Sequence, residues 1–295
     1  MLFFLMAEGL YVNGMKFIKL FLILYSFLIL PGCSAPLAAA GIMGNIINRT
    51  ADYEDSPQAD SQSTPVHTTS YPEREEIAAT NLNLGIAYMK LGEYNLALEK
   101  LLRAKEAKSD YAPVYDALGL LYQKLGQKVE AERNFQQAIN LNSNNSITLN
   151  NYGQFLCSQD REEEAEKYFL AAAENPLYET PEIPYANIGT CANMHDHPDK
   201  AVEYFNKALT INPVIPAALI QMSEIEYNYG NYNSAHDYLE RYLKFSKHTP
   251  KSLWLGIRVE QELGNKNKVS GYALLLRNQY PDSNEAKSLD ESGIR

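Results

Sequence analysis

The chain has 295 residues, 45% of them hydrophobic and 21% charged, the proportions of an ordinary folded protein of one or two domains. A formal net charge of −10 excludes a nucleic-acid scaffold, which needs a basic face. Tyrosine is over-used, 21 residues against a single tryptophan, which points to a repeated structural position that takes tyrosine.

Residues 1–14 are apolar and irregular, with Glu8 as their one charge. A new pattern begins at Met15. Lys16 and Lys19 precede an apolar run from Leu20 to Leu30, which ends at Pro31-Gly32-Cys33. A basic region, a short apolar region and a small residue before a cysteine have the layout of an export signal, here residues 1–32. The apolar run is shorter than the ~20 residues that span a bilayer. Leu30-Pro31-Gly32-Cys33 resembles a bacterial lipobox, with an aliphatic residue three places before the cysteine and a small one next to it; the proline between them departs from the usual pattern. The expectation is a translation start at Met15 and a mature protein that begins at a lipidated Cys33, with an uncleaved signal anchor as the competing reading. Two or more acyl chains hold a protein stably on a membrane. Ser34 stands where inner-membrane lipoproteins of enterobacteria carry aspartate, so the outer membrane is the expected destination.

Periodicity is lost from Ser34 to Glu76. The stretch from Asp52 to Pro65 is rich in Ser, Thr, Pro, Gln and acids, and such a composition buries too little apolar surface to offset chain entropy. Residues 33–76 are therefore expected to be the lipidated end and a flexible spacer, about 35–40 Å root-mean-square in length.

Internal repetition follows. Gly85, Gly119 and Gly153 are spaced by 34 residues, and Gly189 comes after 36. Around each glycine one frame recurs: Asn81-Leu82-Asn83-Leu84-Gly85 with Tyr88, Leu91-Gly92, Ala97, Leu101 and Ala104; then Tyr115 to Gly119 with Tyr122, Leu125-Gly126, Ala131, Phe135 and Ala138. The third copy has Ala165, Phe169 and Ala172, and the fourth Ala201, Phe205, Ala208 and Pro213. This frame resembles the tetratricopeptide repeat, a pair of antiparallel helices. The glycine would sit where the two helices approach too closely for a side chain, and Gly92 and Gly126 would end first helices in a left-handed conformation. Two looser copies follow. Ser223 replaces the glycine in the fifth, and Gly256 falls one place early in the sixth. The fold expected is all-α: a right-handed superhelical array of about six helical hairpins over residues 77–283, with 284–295 as a tail. Terminal repeats are irregular because they cap the stack. Asn175 to Pro184 carries three prolines and lengthens one connection; a neutral insertion and a functional one are equally open.

The chain shows no phosphate-cradling loop, no Gly-x-Ser-x-Gly elbow and no His-Glu-x-x-His, so no enzyme, cofactor or metal is expected. His195-Asp196-His197 is read as a solvated turn rather than a metal site, and the acids at 162–164 as complements to a helix dipole. Cys157 and Cys191 fall on the first helices of repeats three and four. In an exported protein they are either a disulfide or two buried thiols; a bridge would contribute up to about 4 kcal/mol in the chain-entropy model. First helices of such arrays line a concave groove, which makes Asn83, Asp116, Asn150, Asn151, Gln154 and Asn187 the candidate partner-binding residues. Asparagine at 83, 151 and 187 shares one repeat position, either for ligand contact or by consensus alone.

Three stretches go beyond the generic repeat: Asn150 to Cys157, Ala201 to Leu209, and Ser252-Leu253-Trp254-Leu255-Gly256-Ile257-Arg258. With the lipobox and the repeat order, the chain resembles the PilF/PilW lipoproteins of type IV pilus biogenesis. The resemblance implies a pilotin, a protein that helps the pilus secretin reach the outer membrane and assemble. The expected partner is that secretin, bound by a monomer anchored through its lipid. A scaffold for another envelope machine, in peptidoglycan synthesis or outer-membrane protein assembly, is the alternative.

Overall fold

The computed structural model describes residues 71–294; the expected export signal, Cys33 and most of the spacer lie outside the described residues. Thirteen helices and no strand make up the described part. Six hairpins follow in order: α1 (Tyr71–Leu91) with α2 (Tyr94–Ala107), α3 (Ala112–Lys124) with α4 (Lys128–Leu141), α5 (Ser146–Cys157) with α6 (Glu162–Ala173), α7 (Glu182–Met194) with α8 (Pro198–Ile211), α9 (Pro216–Asn228) with α10 (Tyr232–Leu243), and α11 (Pro250–Glu262) with α12 (Lys266–Gln279). A last helix, α13 (Asn284–Ser292), closes the array. The backbones of neighbouring first helices approach one another closely, whereas those of neighbouring second helices do not. The array therefore curves toward its first-helix side.

Each hairpin is held at one crossing. A Cβ added at Gly85 would lie 2.6 Å from Leu101, and one at Gly119 2.7 Å from the Phe135 ring. At Gly153 and Gly189 the rings of Phe169 and Phe205 stand 2.8 and 2.6 Å away. Any side chain at these glycines would displace a leucine or a phenylalanine ring that is itself fully buried. Ala97, Ala131, Ala165 and Ala201 are fully buried one turn before those large residues on the second helices. The fifth hairpin uses Ser223, whose hydroxyl donates to the Ala235 carbonyl at 2.7 Å and so stays satisfied although buried. In the sixth, Ile257 takes the glycine place and Ala273 the ring place, both buried in one cluster. Gly256, one position early, faces the Tyr272 ring at 2.9 Å.

Turns within the hairpins need one residue of positive φ. Gly92 and Gly126 supply it in the first two, and Asp160 and Asp196, each at φ 59°, in the third and fourth. Aspartate is among the few non-glycine residues that enter this region. Asp196 of the His-Asp-His triplet is thus a turn residue. Ser143-Asn144-Asn145 separates α4 from α5, and the Asn145 side chain accepts from the Ile147 and Thr148 amides and caps α5. The proline-rich connection between α6 and α7 is stapled back by Asn175, which donates to the Asn144 carbonyl at 3.1 Å and the Ser146 hydroxyl at 2.9 Å.

Helical structure extends past both ends of the expected 77–283 span. α1 starts at Tyr71, and residues 284–292 form α13. Ser283 caps α13, and Ala286 and Leu289 are buried with Leu253, Ile257 and Leu276. Among the described residues it is α13, not a further hairpin, that covers the apolar side of α11 and α12. Burying one leucine there contributes about 1.5–3 kcal/mol, so the short tail segment folds onto it.

Candidate functional site on the first-helix face

Polar side chains on the first helices form a ladder between repeats. Asn151 Nδ2 on α5 donates to Asp116 Oδ2 on α3 at 3.0 Å. Asn187 Nδ2 on α7 donates to Asn150 Oδ1 on α5 at 2.7 Å. Gln221 Nε2 on α9 donates to Thr190 Oγ1 at 2.9 Å, and Asn193 Nδ2 donates to Gln221 Oε1 at 3.1 Å, both partners on α7. Four of the six candidate groove residues, Asp116, Asn150, Asn151 and Asn187, are rungs of this ladder. Asn83 and Gln154 are exposed. Thr190, Asn193 and Gln221 were not singled out from the sequence, yet Gln221 stands at the same repeat position as Asn151 and Asn187. The change from asparagine to glutamine hid a shared role.

Burial pushes the Asp116 carboxyl up to about 6, against the opposing effect of the Asn151 hydrogen bond. The ladder thus contains an acid whose charge changes in the mildly acidic range. At the far end of the same face, Arg258 on α11 stacks on Tyr227 of α9, 4.7 Å from the ring centroid, and Trp254 lies one turn before it.

The remaining sequence candidates lie elsewhere. Cys157 and Cys191 come together with a Cα–Cα distance of 5.9 Å and their sulfurs at bonding distance, between α5 and α7. Cys157 lies four places after Gly153 and Cys191 two places after Gly189, so the two meet with an offset of two positions in the repeat frame. The two histidines diverge. His195 Nδ1 meets the Cys191 carbonyl at 2.8 Å and its Nε2 lies 3.4 Å from Asp160; His197 Nδ1 meets Glu162 at 2.8 Å. The Cys191 carbonyl and the Asp160 carboxylate raise the His195 pKa. His236, Glu240 and Glu260 form a second close group of potential ligands, but Lys268 Nζ lies 2.8 Å from Glu240 and 3.4 Å from Glu260 within it. The acids after Asp160 join ion pairs as well as a helix terminus. Glu162 holds Lys200 at 2.9 Å, Glu166 holds it at 2.7 Å, and Arg161 bridges Glu132 and Glu164. These pairs couple neighbouring second helices, which otherwise stand apart.

Among the described residues no helix is long and apolar enough to cross a membrane. The tetratricopeptide repeat family matches residues 76–144 and 185–215. The type IV pilus assembly protein PilF of Pseudomonas aeruginosa is 30% identical over 212 residues, 72% of this chain and 84% of that protein. A solved Pseudomonas aeruginosa PilF structure superposes with a TM-score of 0.68 at 29% identity, covering 74% of this chain and 99% of that one. PilW, described as a widely conserved type IV pilus biogenesis factor, superposes with a TM-score of 0.66 at 25% identity, covering 72% of this chain and 98% of that one. Repeat fold, chain coverage and identity together make this chain a member of the PilF/PilW family of tetratricopeptide-repeat proteins of type IV pilus biogenesis.

Proposed function

We propose that the protein is a pilotin: a lipoprotein, anchored through Cys33 to the periplasmic face of the outer membrane, that promotes localisation and multimerisation of the pilus secretin. The observation that supports this reading best is the match to PilF along 84% of that protein's length. The family's role in pilus biogenesis narrows the partner to that machine, and the lipobox resemblance gives the site of action. Physically, the ladder contributes stiffness. A groove whose rungs already bond one another loses little entropy when a partner segment settles on it. Asn83 and Gln154 offer their amides to that segment, while Asp116, Asn150, Asn151 and Asn187 have hydrogen-bonding capacity beyond their rungs. The spacer keeps this groove near the membrane and raises its effective concentration there.

Deletion of the gene tests the reading: loss of heat- or detergent-resistant secretin multimers and of surface pili is expected, and normal multimers would overturn it. A Cys33→Ala protein should be made and folded but absent from the outer-membrane fraction. We further propose that Cys157 and Cys191 are bridged in the mature protein. Thiol titration of the denatured, unreduced protein should find neither of them; two titratable thiols would exclude the bridge.

A further inference from the structure

The C-terminal end of the first-helix face carries a cation that nothing in the described protein neutralises. Arg258 and Trp254 are four residues apart on α11 and leave the same side of that helix. The Arg258 guanidinium lies over Tyr227, and its Nε is buried without a hydrogen-bond partner. Arg258 forms no ion pair among the described residues. Lys200 and Lys268, on the second helices, each hold two carboxylates. The buried Nε is out of a ligand's reach, but the terminal nitrogens of the guanidinium are not buried and have no carboxylate partner among the described residues.

We propose that Arg258, with Tyr227 and Trp254 beside it, is a subsite for a carboxylate of an acidic protein segment. The guanidinium fork matches one carboxylate with two parallel hydrogen bonds, and stacking on Tyr227 fixes its plane in advance. One lone cation does not suit a phosphate-rich membrane surface, which is held by clusters of basic residues. The neighbouring repeats supply what a peptide backbone needs, the amides of Gln221 and Asn193 on the same face. This inference does not depend on the secretin being the partner. It specifies the chemistry of a ligand at the far end of the groove from Asn83.

Trp254 is the single tryptophan, so intrinsic fluorescence reports this subsite alone. A random dodecapeptide library would be panned against the whole protein. A selected peptide and its counterpart with Asn and Gln in place of Asp and Glu would then be titrated while Trp254 emission is followed. The acidic peptide is expected to bind on the order of tenfold more tightly than its amide counterpart, the scale of a lost charge-assisted pair. Arg258→Gln should erase that preference without lowering the melting temperature, and Arg258→Lys should retain part of it. Equal binding of the two peptides to the native protein, or a preference that survives in Arg258→Gln, would overturn the proposal. So would vesicles of phosphatidylglycerol that shift Trp254 emission through Arg258 when the acidic peptide does not. Should Arg258→Gln fail to fold, the peptide pair on the native protein and Arg258→Lys still decide.

Discussion

The first four hairpins and the last two fill one helix crossing with different residues. In the first four, a glycine on the first helix receives a Leu or Phe from the second. The fifth has Ser223 in the glycine place and Leu239 in the large place, and only the sixth reverses the sizes, with Ile257 on the first helix and Ala273 on the second. What repeats is the combined volume at the crossing, not the residue that supplies it. The reversal occurs where α13, rather than another hairpin, covers the array. A terminal unit is free of the requirement to match two neighbours, and its sequence drifts from the frame while its helices do not.

The largest expected effect on this contrast is in the first group. Phe169→Ala empties the ring place opposite Gly153, and urea unfolding should show a loss of about 3–5 kcal/mol. Next comes the link across the inserted connection. Cys157→Ser with Cys191→Ser should cost about 3–4 kcal/mol under oxidising conditions, and nothing relative to the native protein in the presence of reductant. The sixth hairpin offers a direct test of the size reversal. Ile257→Gly and Ala273→Phe should each destabilise, by a cavity and by overpacking, yet their combination restores the order of the first four. A double-mutant cycle should show a favourable coupling of about 1–3 kcal/mol; additive losses would mean that the two places do not face each other.

Smaller effects concern the ladder and a glycine outside the crossings. Asp116 has its folded pKa raised to about 6. Between the unfolded value and that point the folded state binds the extra proton, so stability falls as pH rises from about 4 to 6 and levels off above. Asp116→Asn keeps an acceptor for Asn151 and should flatten that slope, with a gain of about 1–2 kcal/mol at pH 7.5. Denaturation at pH 4.5 and 7.5 measures both. The smallest change separates glycines by role. A Cβ at Gly271, inside α12, meets nothing within 4 Å. Gly271→Ala should therefore stabilise by about 0.5–1 kcal/mol, whereas Gly153→Ala should destabilise because the Phe169 ring stands in the way.

Much of this was legible because the repeat writes each contact several times. Gly85, Gly119, Gly153 and Gly189 at near-fixed spacing, with a large residue sixteen places after each, define the hairpin crossing from sequence alone. The turns were legible where glycine makes them and at His195-Asp196-His197; that Asp160 and Asp196 carry the positive φ of their turns was not, since aspartate after a helix also reads as a solvated charge. α13 was missed because residues 284–292 are polar by composition. Only Ala286 and Leu289 face inward, and two apolar positions carry no detectable period.

The sequence by itself determined the helical hairpins, their number and the family, because local periodicity and repetition need no knowledge of distant partners. It also identified most polar residues of the first-helix face. Tertiary structure alone decided what they do there. Asp116 meets Asn151, Asn150 meets Asn187, and Tyr227 meets Arg258 only because successive first helices touch, over sequence separations of about one repeat. Curvature sets those distances, and curvature arises from the summed shapes of many crossings. That is why the bonds that the frame asparagines make to the neighbouring first helix, and the setting of Arg258 against Tyr227, came to light only once their neighbours were in place.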